Sequence, residues 1–388
     1  MRIGQTLYMD HQATTPMDDR VFSEMAPFFN ETFGNPHSAD HSIGWQAARA
    51  VETAANQVAS LIGADTDEII FTSGATEANN LALLGLARRA LGGERRRILV
   101  SSIEHKSVLA VSRILHQQLG YNIELLPVDT AGFVNMPVLR EILADDVLIV
   151  SIMAVNNEIG TIQNISQLSH IIRENGSIFH CDAAQAPCAI DLKNFSKFVD
   201  LMSFSSHKMY GPQGIGALFI RRNLHNSIEP IIYGGGQQQE LRSGTIPVAL
   251  CVGMGAAAAV LMDDSKATRE REMLRNLRDV FVQKMMNLQW SVVLNGPEGN
   301  QRHPGNANMR FDGFDAHDVL QVLQPRLAAS TGSACTSGIP EPSHVLKAIG
   351  LSNSEAESSI RFSIGRCTTE SDLDSAVTFI NECLMKLS

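Results

Sequence analysis

The segment Val199-Asp200-Leu201-Met202-Ser203-Phe204-Ser205-Ser206-His207-Lys208 joins an apolar run to a polar stretch that ends in a lysine. Residues 199–204 have the length and composition of a buried strand, and a glycine-rich turn follows at residues 211–214. A lysine held at a strand end can be partly removed from water, which lowers its pKa and suits its amine to Schiff-base chemistry. Most lysines are solvated surface residues, so the significance of Lys208 depends on the rest of the chain.

Strand-like and helix-like segments alternate on both sides of this stretch, from about residue 65 to residue 220. Buried strands are predicted at residues 68–71, 98–100, 147–152, 178–181, 201–204 and 215–220. The amphipathic segments between them, such as residues 77–90 and 165–175, are typical of helices. This alternation predicts an α/β fold with a mostly parallel central sheet, whose ligand sites lie at the carboxyl ends of the strands.

The pattern changes after residue 260, where a charged helix is predicted at residues 265–288. Shorter strands and helices follow at residues 291–294, 306–311, 315–323, 342–349 and 359–364. We therefore predict a large domain at residues 15–260 and a smaller α+β domain formed by residues 1–14 and 261–388.

Composition limits the classes of function. The chain has 388 residues, a formal net charge of −10 and 44% hydrophobic residues, which is typical of a soluble globular protein with more than one domain. The acidic charge argues against direct binding to nucleic acid or to an acidic membrane surface, and the sequence has no apolar run long enough to span a bilayer. The six cysteines show no zinc-site spacing, so we expect no metal and free thiols in a reducing cytoplasm.

Two further polar segments follow predicted strands. Residues 72–77, Thr-Ser-Gly-Ala-Thr-Glu, open a helix whose free N–H groups could hold a phosphate, although an ordinary capping turn has the same form. Asp182 could pair with a protonated ring nitrogen and Gln185 with a ring hydroxyl, although Asp182 could also cap its own turn. Lys208 follows one βαβ step later. An acid, a lysine and a phosphate cup together indicate pyridoxal phosphate.

Three other residues are candidates with a structural alternative. His105, after the strand near residue 100, could lie over a cofactor ring and move protons, or it could be a capping or surface residue. Asn157 could hold a substrate carboxylate, or the pair Asn156-Asn157 could simply build a turn. Arg361, on a predicted strand, could clamp an amino-acid carboxylate or form a structural ion pair.

Cys335 lies in residues 329–338, which are almost entirely small and polar, so the sequence predicts a mobile, exposed loop. A thiol on such a loop could reach a substrate and accept an atom from it, provided that it reaches the thiolate state. The remaining cysteines are predicted to be packing residues, namely Cys181, Cys188, Cys251, Cys367 and Cys383.

With these residues in order, the chain resembles the group I cysteine desulfurases of the NifS/IscS type. These are members of the class V aminotransferase family with the fold-type I architecture of pyridoxal-phosphate enzymes. The resemblance is carried by residues 9–16, 33–38, 72–77, 203–216, 242–245, 332–337 and 361–366. One departure stands out: Gln237-Gln238-Gln239-Glu240 occupies a position where relatives usually carry a Glu-Arg-Gly stretch.

The resemblance implies a role for each candidate. Lys208 would bond the cofactor aldehyde, Asp182 would pair with the ring nitrogen and Gln185 with the ring hydroxyl, while His105 would stack on the ring and take part in proton transfer. The phosphate would be held by Ala75, Thr76, Ser205, His207 and, across a homodimer interface, the partner subunit's Thr245. Asn157 and Arg361 would hold the carboxylate of L-cysteine. Cys335 would take the sulfur as a persulfide and leave L-alanine.

Two other functions are compatible with parts of this pattern. One keeps the cofactor and changes the chemistry, as in a selenocysteine or cystine lyase or an aminotransferase. The other is a sulfur-carrier or scaffold subunit with little activity. Cys335 favours the desulfurase over the first, and the complete set of site residues favours it over the second. The sulfur acceptor stays open among iron–sulfur assembly, nitrogenase maturation, transfer-RNA thiolation and DNA phosphorothioation.

Overall fold

A computed structural model of the protein describes residues 1–332 and 342–388. Its strands are β1 (Arg2–Ile3), β2 (Thr6–Tyr8), β3 (Ile69–Thr72), β4 (Arg97–Ser101), β5 (Asn122–Leu126), β6 (Val147–Ser151), β7 (Ile178–Asp182), β8 (Leu201–Ser205), β9 (Gly216–Ile220), β10 (Val292–Leu294), β11 (Asn306–Phe311), β12 (Leu327–Ala328) and β13 (Ser359–Ser363). Its helices are α1 (Asp19–Met25), α2 (Pro27–Asn30), α3 (Ser42–Ile62), α4 (Ala75–Arg89), α5 (Lys106–Leu119), α6 (Met136–Ile142), α7 (Ile165–Glu174), α8 (Val248–Leu261), α9 (Asp264–Met286), α10 (Ala316–Leu323), α11 (His344–Ala348), α12 (Asn353–Glu357) and α13 (Glu370–Leu387).

A seven-stranded sheet in the order β3-β9-β8-β7-β6-β4-β5 confirms the predicted α/β architecture. Strand β9 runs antiparallel to both of its neighbours, and the other strands run in one direction. The carboxyl ends of β3, β4, β6, β7 and β8 therefore meet at the same edge of the sheet. The predicted strands lie within one or two residues of the observed ones. Strand β5 was not predicted, because its partly exposed residues lack the continuous apolar run of a buried strand.

Both faces of this sheet are covered by apolar packing. Ile69 and Phe71 of β3 belong to one apolar cluster, whereas Ile70 belongs to another that includes residues of α4 and α5. Side chains alternate between the two faces of a strand, so a strand buried on both faces is apolar at every position. This explains why the central strands could be predicted from short apolar runs.

A second apolar core is built from Leu7, Met9 and residues between 274 and 384. It packs against the antiparallel sheet β10-β11-β13, while β12 pairs with the N-terminal strand β2. The two-domain division stays a prediction, and we propose that residues 1–14 belong with residues 261–388 because Leu7 and Met9 lie in this second core.

The unusual segment Gln237–Glu240 supports the free edge of the large sheet. Gln238 accepts a hydrogen bond from the Phe71 N–H (2.7 Å) and donates one to the Phe71 carbonyl (2.9 Å). Strand β3 is at the end of the sheet, where backbone groups otherwise lack a neighbouring strand. An amide side chain can satisfy both groups because it both donates and accepts, whereas a carboxylate only accepts. The segment turns sharply, with positive φ at Gln238, Gln239 and Glu240.

In the described part of the chain, no single helix is long and apolar enough to cross a membrane. Helices α8 and α9 reach the required length and composition only as a pair, which is bent by 81°.

The place of the N-terminal strand in the second core can be tested with two leucines. Leu7 is fully buried and Leu91 is 52% exposed. We expect Leu7→Ala to lower the free energy of unfolding by about 2–5 kcal/mol because a buried cavity results. Leu91→Ala is expected to change it by about 0.5 kcal/mol or less. Chemical denaturation followed by circular dichroism measures both, and equal effects of the two substitutions would contradict the assignment.

Candidate active site

A cavity of about 490 Å³ lies at the carboxyl edge of the large sheet. Of the residues singled out from the sequence, those lining it are Ala75, Thr76, His105, Asn157, Asp182, Gln185, Ser205, His207 and Lys208. They come from the last residues of β7 and β8, from the N-terminus of α4 after β3, and from the segments that follow β4, β6, β7 and β8. The strand ends thus bring together residues that are up to 133 positions apart in the chain (208 − 75).

Lys208 ends the short 3₁₀ turn Ser206–Lys208 directly after β8. Burial lowers the pKa of Lys208 from its ordinary value of 10.5 to about 8. The charge of Asp182 opposes this shift, Arg361 adds to it, and Asp10 opposes it weakly. A substantial fraction of the amine is therefore neutral near physiological pH, which is the form that attacks an aldehyde.

Asp182, the last residue of β7, is 3% exposed. One carboxylate oxygen accepts a hydrogen bond from the Ala184 N–H (2.9 Å), and the other accepts one from the Asn79 side chain (2.7 Å). The first bond is the turn contact that the sequence left open as an alternative. The second comes from α4 and holds the carboxylate in one orientation beside the cavity. Asp182 thus both builds its turn and presents a fixed carboxylate.

His105 is the N-cap residue of α5, and it also lines the cavity. Its Nδ1 accepts a hydrogen bond from the Ser107 N–H (3.1 Å), so the neutral ring carries its proton on Nε2. Burial lowers the pKa of His105, and Asp182 only partly offsets that effect, while Lys208 adds to it. The capping and functional interpretations of this histidine are therefore compatible, because they use different ring nitrogens.

The phosphate cup is the N-terminus of α4. Its first N–H groups have no acceptor within the helix, and Gly74 at the N-cap has no side chain with which to cap them. Gly74 has φ +155, and a Cβ on Gly216 of β9 would lie 2.6 Å from its Cα, so both positions require glycine. The backbone of the cup is therefore packed closely against the start of β9.

Ser205 and His207 complete the cup from the end of β8. Nδ1 of His207 lies 3.1 Å from the Thr14 hydroxyl. Burial, with a contribution from Lys208, lowers the pKa of His207 to about 4. At neutral pH this ring is therefore uncharged, and it would bind an anion by donating a hydrogen bond.

Asn156 and Asn157 have different roles, one in the turn and the other at the cavity. The Asn156 side chain accepts the N–H groups of Glu158 (2.8 Å) and Ile159 (2.9 Å), so it builds the turn. Asn157 lines the cavity, and its carbonyl accepts a hydrogen bond from Arg361 (2.7 Å). The residue predicted to reach a substrate is thus the one that faces the cavity.

Two predicted residues in the described part of the chain stand apart from this lining. Arg361 forms the ion pair that the sequence left open, with 2.7 Å between its Nη2 and the Asp10 carboxylate. Thr245 is exposed. In the described part of the chain neither residue lines the cavity. Cys335 lies in residues 333–341, outside the described residues.

One prediction about the cysteines is wrong. Cys367 is exposed rather than packed, because it lies in the turn between β13 and α13. Cys181, Cys251 and Cys383 are buried, and the Sγ of partly buried Cys188 lies 3.5 Å from the Lys208 carbonyl oxygen.

Several residues at the site were missed by sequence reasoning. Gln12 accepts a hydrogen bond from Gln185 through its backbone carbonyl (2.8 Å), and Asn79 orients Asp182. Glu104 is fully buried and accepts the Met153 N–H, and burial together with the charge of Asp182 raises its pKa well above the usual range. An acid directly before a candidate histidine at a strand end was the available signal for Glu104.

The cavity fits the chemical groups of pyridoxal phosphate. Lys208 supplies an amine for the aldehyde, Asp182 a carboxylate for the ring nitrogen, and the N-terminus of α4 a place for the phosphate. The volume lies in the range of small-ligand pockets. The set of donors and acceptors on the described residues therefore matches the cofactor predicted from the sequence.

The lowered pKa of Lys208 predicts its reactivity in the cofactor-free protein. We expect competitive acetylation, read by peptide mass spectrometry across a pH series, to give Lys208 a midpoint of about 8. Asp182→Asn should shift that midpoint lower, because the carboxylate stabilises the ammonium form. A Lys208 midpoint near the ordinary value of 10.5 would contradict the burial that causes the shift.

Comparison with known proteins identifies the family. The family model described as aminotransferase class-V matches residues 7–375. The cysteine desulfurase IscS of Rickettsia felis is 45% identical over 383 residues, which cover 98% of this chain and 92% of the relative.

Solved structures give the same result. A structure described as a NifS-like protein has a TM-score of 0.90 and 33% identity, and the match covers 98% of this chain and 100% of the other. A structure described as SspA in complex with cysteine has a TM-score of 0.80 and 34% identity, over 94% of this chain and 100% of the other. The chain therefore belongs to the class-V aminotransferase family of pyridoxal-phosphate enzymes and, within it, to the cysteine desulfurases.

Proposed function

We propose that the protein converts L-cysteine to L-alanine, that Cys335 captures the sulfur as a persulfide, and that an acceptor protein or thiol then removes it. The observation that carries this proposal is the convergence of Lys208, Asp182 and His105 on one cavity at the sheet edge. That cysteine is the ligand named for one structural relative supports the choice of substrate.

Pyridoxal phosphate, when bound, supplies an electron sink that stabilises negative charge developing on the amino acid and so weakens its C–S bond. With the cofactor bound, Asp182 would pair with its ring nitrogen through the fixed carboxylate. Lys208, whose pKa is lowered by burial to about 8 in the cofactor-free protein, would anchor the aldehyde and could take or return a proton at Nζ when it is free. His105 lines the cavity, and its neutral ring, which carries its proton on Nε2, can donate a hydrogen bond there.

The substrate carboxylate is assigned to Asn157 and Arg361. Arg361 already donates to Asn157, Asp10 and Ser330. Its buried Nε has no hydrogen-bond acceptor among the described residues. A buried guanidinium N–H without an acceptor is costly, and a carboxylate would satisfy it with a charge-assisted bond. This unsatisfied donor supports substrate binding by Arg361 even though the arginine is ion-paired.

In the sulfur-transfer step, the Cys335 thiolate forms a bond to the substrate sulfur while the substrate C–S bond breaks. The electron pair of that bond stays with the substrate carbon, which then takes up a proton to give alanine. The products are a Cys335 persulfide and L-alanine, and no external oxidant is consumed. A thiol acceptor then takes the outer sulfur and returns Cys335 to its thiol state.

We also propose that the protein is a homodimer in a reducing cytoplasm. The exposed apolar side chains Phe22, Phe29, Phe33, Ile43 and Trp45 lie in one part of the chain and are candidates for burial in a subunit interface. The five cysteines in the described residues are free, as expected in a reducing compartment.

The persulfide step has a direct test. We expect Cys335→Ala to retain the cofactor absorbance and lose at least 100-fold in sulfide and alanine release, because the sulfur has no acceptor. Lys208→Ala should lose the protein-bound absorbance itself. Cys367→Ala is the matched control, since it removes an exposed free thiol elsewhere. The assay measures alanine and sulfide from L-cysteine with a dithiol present. Full turnover by Cys335→Ala would exclude the persulfide and favour a lyase, and an inactive wild type would favour a carrier.

The proposed role of the partner subunit's Thr245 has a separate test by mixing subunits. Lys208→Ala and Thr245→Val each impair every site of a homodimer. In a mixed dimer, however, a phosphate contact made across the interface leaves one site with an intact lysine and an intact threonine. We expect the mixture to recover activity above the sum of the two variants. No recovery, with exchange of subunits verified by mass spectrometry, would place Thr245 outside the partner's site.

A further inference from the structure

The turn that contains Lys208 ends in a backbone conformation that is unusual for the residue found there. After the 3₁₀ turn Ser206–Lys208, the Gly211 N–H donates a hydrogen bond back to the Ser206 carbonyl (3.0 Å). This is the outer of the two backbone hydrogen bonds of a Schellman motif, in which the residue before the donor has a left-handed conformation and is usually glycine. Here that residue is Tyr210, with a φ of 63°.

Thr15 takes the place of the inner hydrogen bond of this motif. In the usual arrangement the Tyr210 N–H would donate to the His207 carbonyl. Instead it donates to the Thr15 hydroxyl (2.9 Å), and that hydroxyl donates to the His207 carbonyl (2.8 Å). The Thr15 N–H donates to the same carbonyl at 3.0 Å. Because a hydroxyl both donates and accepts, one side chain bridges a residue before Lys208 and a residue after it.

Other contacts also hold Tyr210 in its left-handed conformation. A non-glycine residue in this conformation is strained, and it persists where its surroundings fix it. Tyr210 is 5% exposed, its carbonyl accepts from the Asp18 N–H (2.9 Å), and its hydroxyl accepts from the Arg366 N–H (2.8 Å). Cζ of Arg366 lies 4.0 Å from the centre of the Tyr210 ring. These contacts do not involve Thr15, so loss of its hydroxyl should loosen the turn without unfolding the protein.

The N-terminal segment meets the lysine turn at two successive threonines. Thr15 precedes Pro16, and a residue before proline favours an extended backbone. The Thr14 hydroxyl lies 3.1 Å from Nδ1 of His207. His207 is therefore held at its ring by Thr14 and at its carbonyl by Thr15, directly before Lys208 in the chain.

We propose that Thr15 is a positioning residue for Lys208, because its hydroxyl completes the turn that holds the lysine at the cavity. This inference rests on the proposed role of Lys208 in bonding the cofactor aldehyde. Without the hydroxyl, the Tyr210 N–H loses its acceptor and the His207 carbonyl loses one of two donors. Unpaired buried groups are costly, so the turn should open to water, and Lys208 should adopt less often the geometry that reaches the aldehyde.

The test uses the full chain, from which the cofactor is removed and to which it is then added back. Growth of the protein-bound absorbance after addition of pyridoxal phosphate measures how fast Lys208 bonds the aldehyde, and competitive acetylation measures the pH midpoint of Lys208. We expect Thr15→Val to slow bonding about 10-fold and to raise the midpoint above about 8, because water then reaches the amine. Thr15 is uncharged, so a changed midpoint reports the burial of Lys208 and not the loss of a charge.

Three further variants supply controls. Thr15→Ser keeps the hydroxyl, so it should restore the bonding rate to within about threefold. Thr6 is a matched threonine, since it is also partly buried in the N-terminal segment and its hydroxyl also donates to a backbone carbonyl, that of Pro325 (2.6 Å). Thr6→Val should leave the rate and the midpoint unchanged. Thr15→Ala removes the hydroxyl without placing a methyl group there, and it keeps the inference testable if Thr15→Val does not fold.

Three results would overturn the inference: an unchanged bonding rate or midpoint in Thr15→Val, an equal effect in Thr6→Val, or failure of Thr15→Ser to restore the rate. Failure of the proposed role of Lys208 gives a different result, because Lys208→Ala would then keep the protein-bound absorbance whatever residue occupies position 15.

Discussion

Burial of ionisable groups at the carboxyl edge of the large sheet is the constraint on which the active site depends. Burial lowers the pKa of Lys208 to about 8, and the charge of Asp182 opposes this lowering. The same burial lowers the pKa of His105 and His207, so both rings meet the cavity in their neutral form. If these residues were exposed to water, the lysine would be protonated at neutral pH and the pKa values of the three side chains would be close to their ordinary values.

The large sheet buries these groups because of its strand order and the support of its edge strand. Crossover connections place the ends of β4, β6, β7 and β8 side by side, and the end of β3 lies at the same edge beyond the antiparallel strand β9. The edge strand β3, which leads into the phosphate cup, is supported by the two hydrogen bonds of Gln238. The unusual Gln237–Glu240 segment is thus a structural support for the cup, and its amide makes a pair of contacts that a carboxylate could not make.

Residues outside the large sheet complete the site. The N-terminal segment reaches it three times: Asp10 pairs with Arg361, Gln12 accepts from Gln185, and Thr14 contacts His207. Glu158, directly after Asn157, accepts a hydrogen bond from the Ser343 hydroxyl. Different parts of the chain thus meet at the site through a few buried polar contacts.

The sequence by itself determined the α/β class, the central strands and half of the cavity lining, nine of eighteen residues, because strand periodicity and the polar residues that end a strand are local features. Only the tertiary structure decided that Asn157 and not Asn156 faces the cavity, that Arg361 is paired with Asp10, that Glu104 and Glu158 are buried, and that Cys367 is exposed. The reason is physical. Burial and ion pairing depend on groups that the fold brings from elsewhere: Asp10 and Arg361 are 351 positions apart, and Glu158 and Ser343 are 185 apart. A local sequence pattern cannot predict such distant partners. It can predict the strand on which each side chain lies, because apolar and polar residues alternate within that strand.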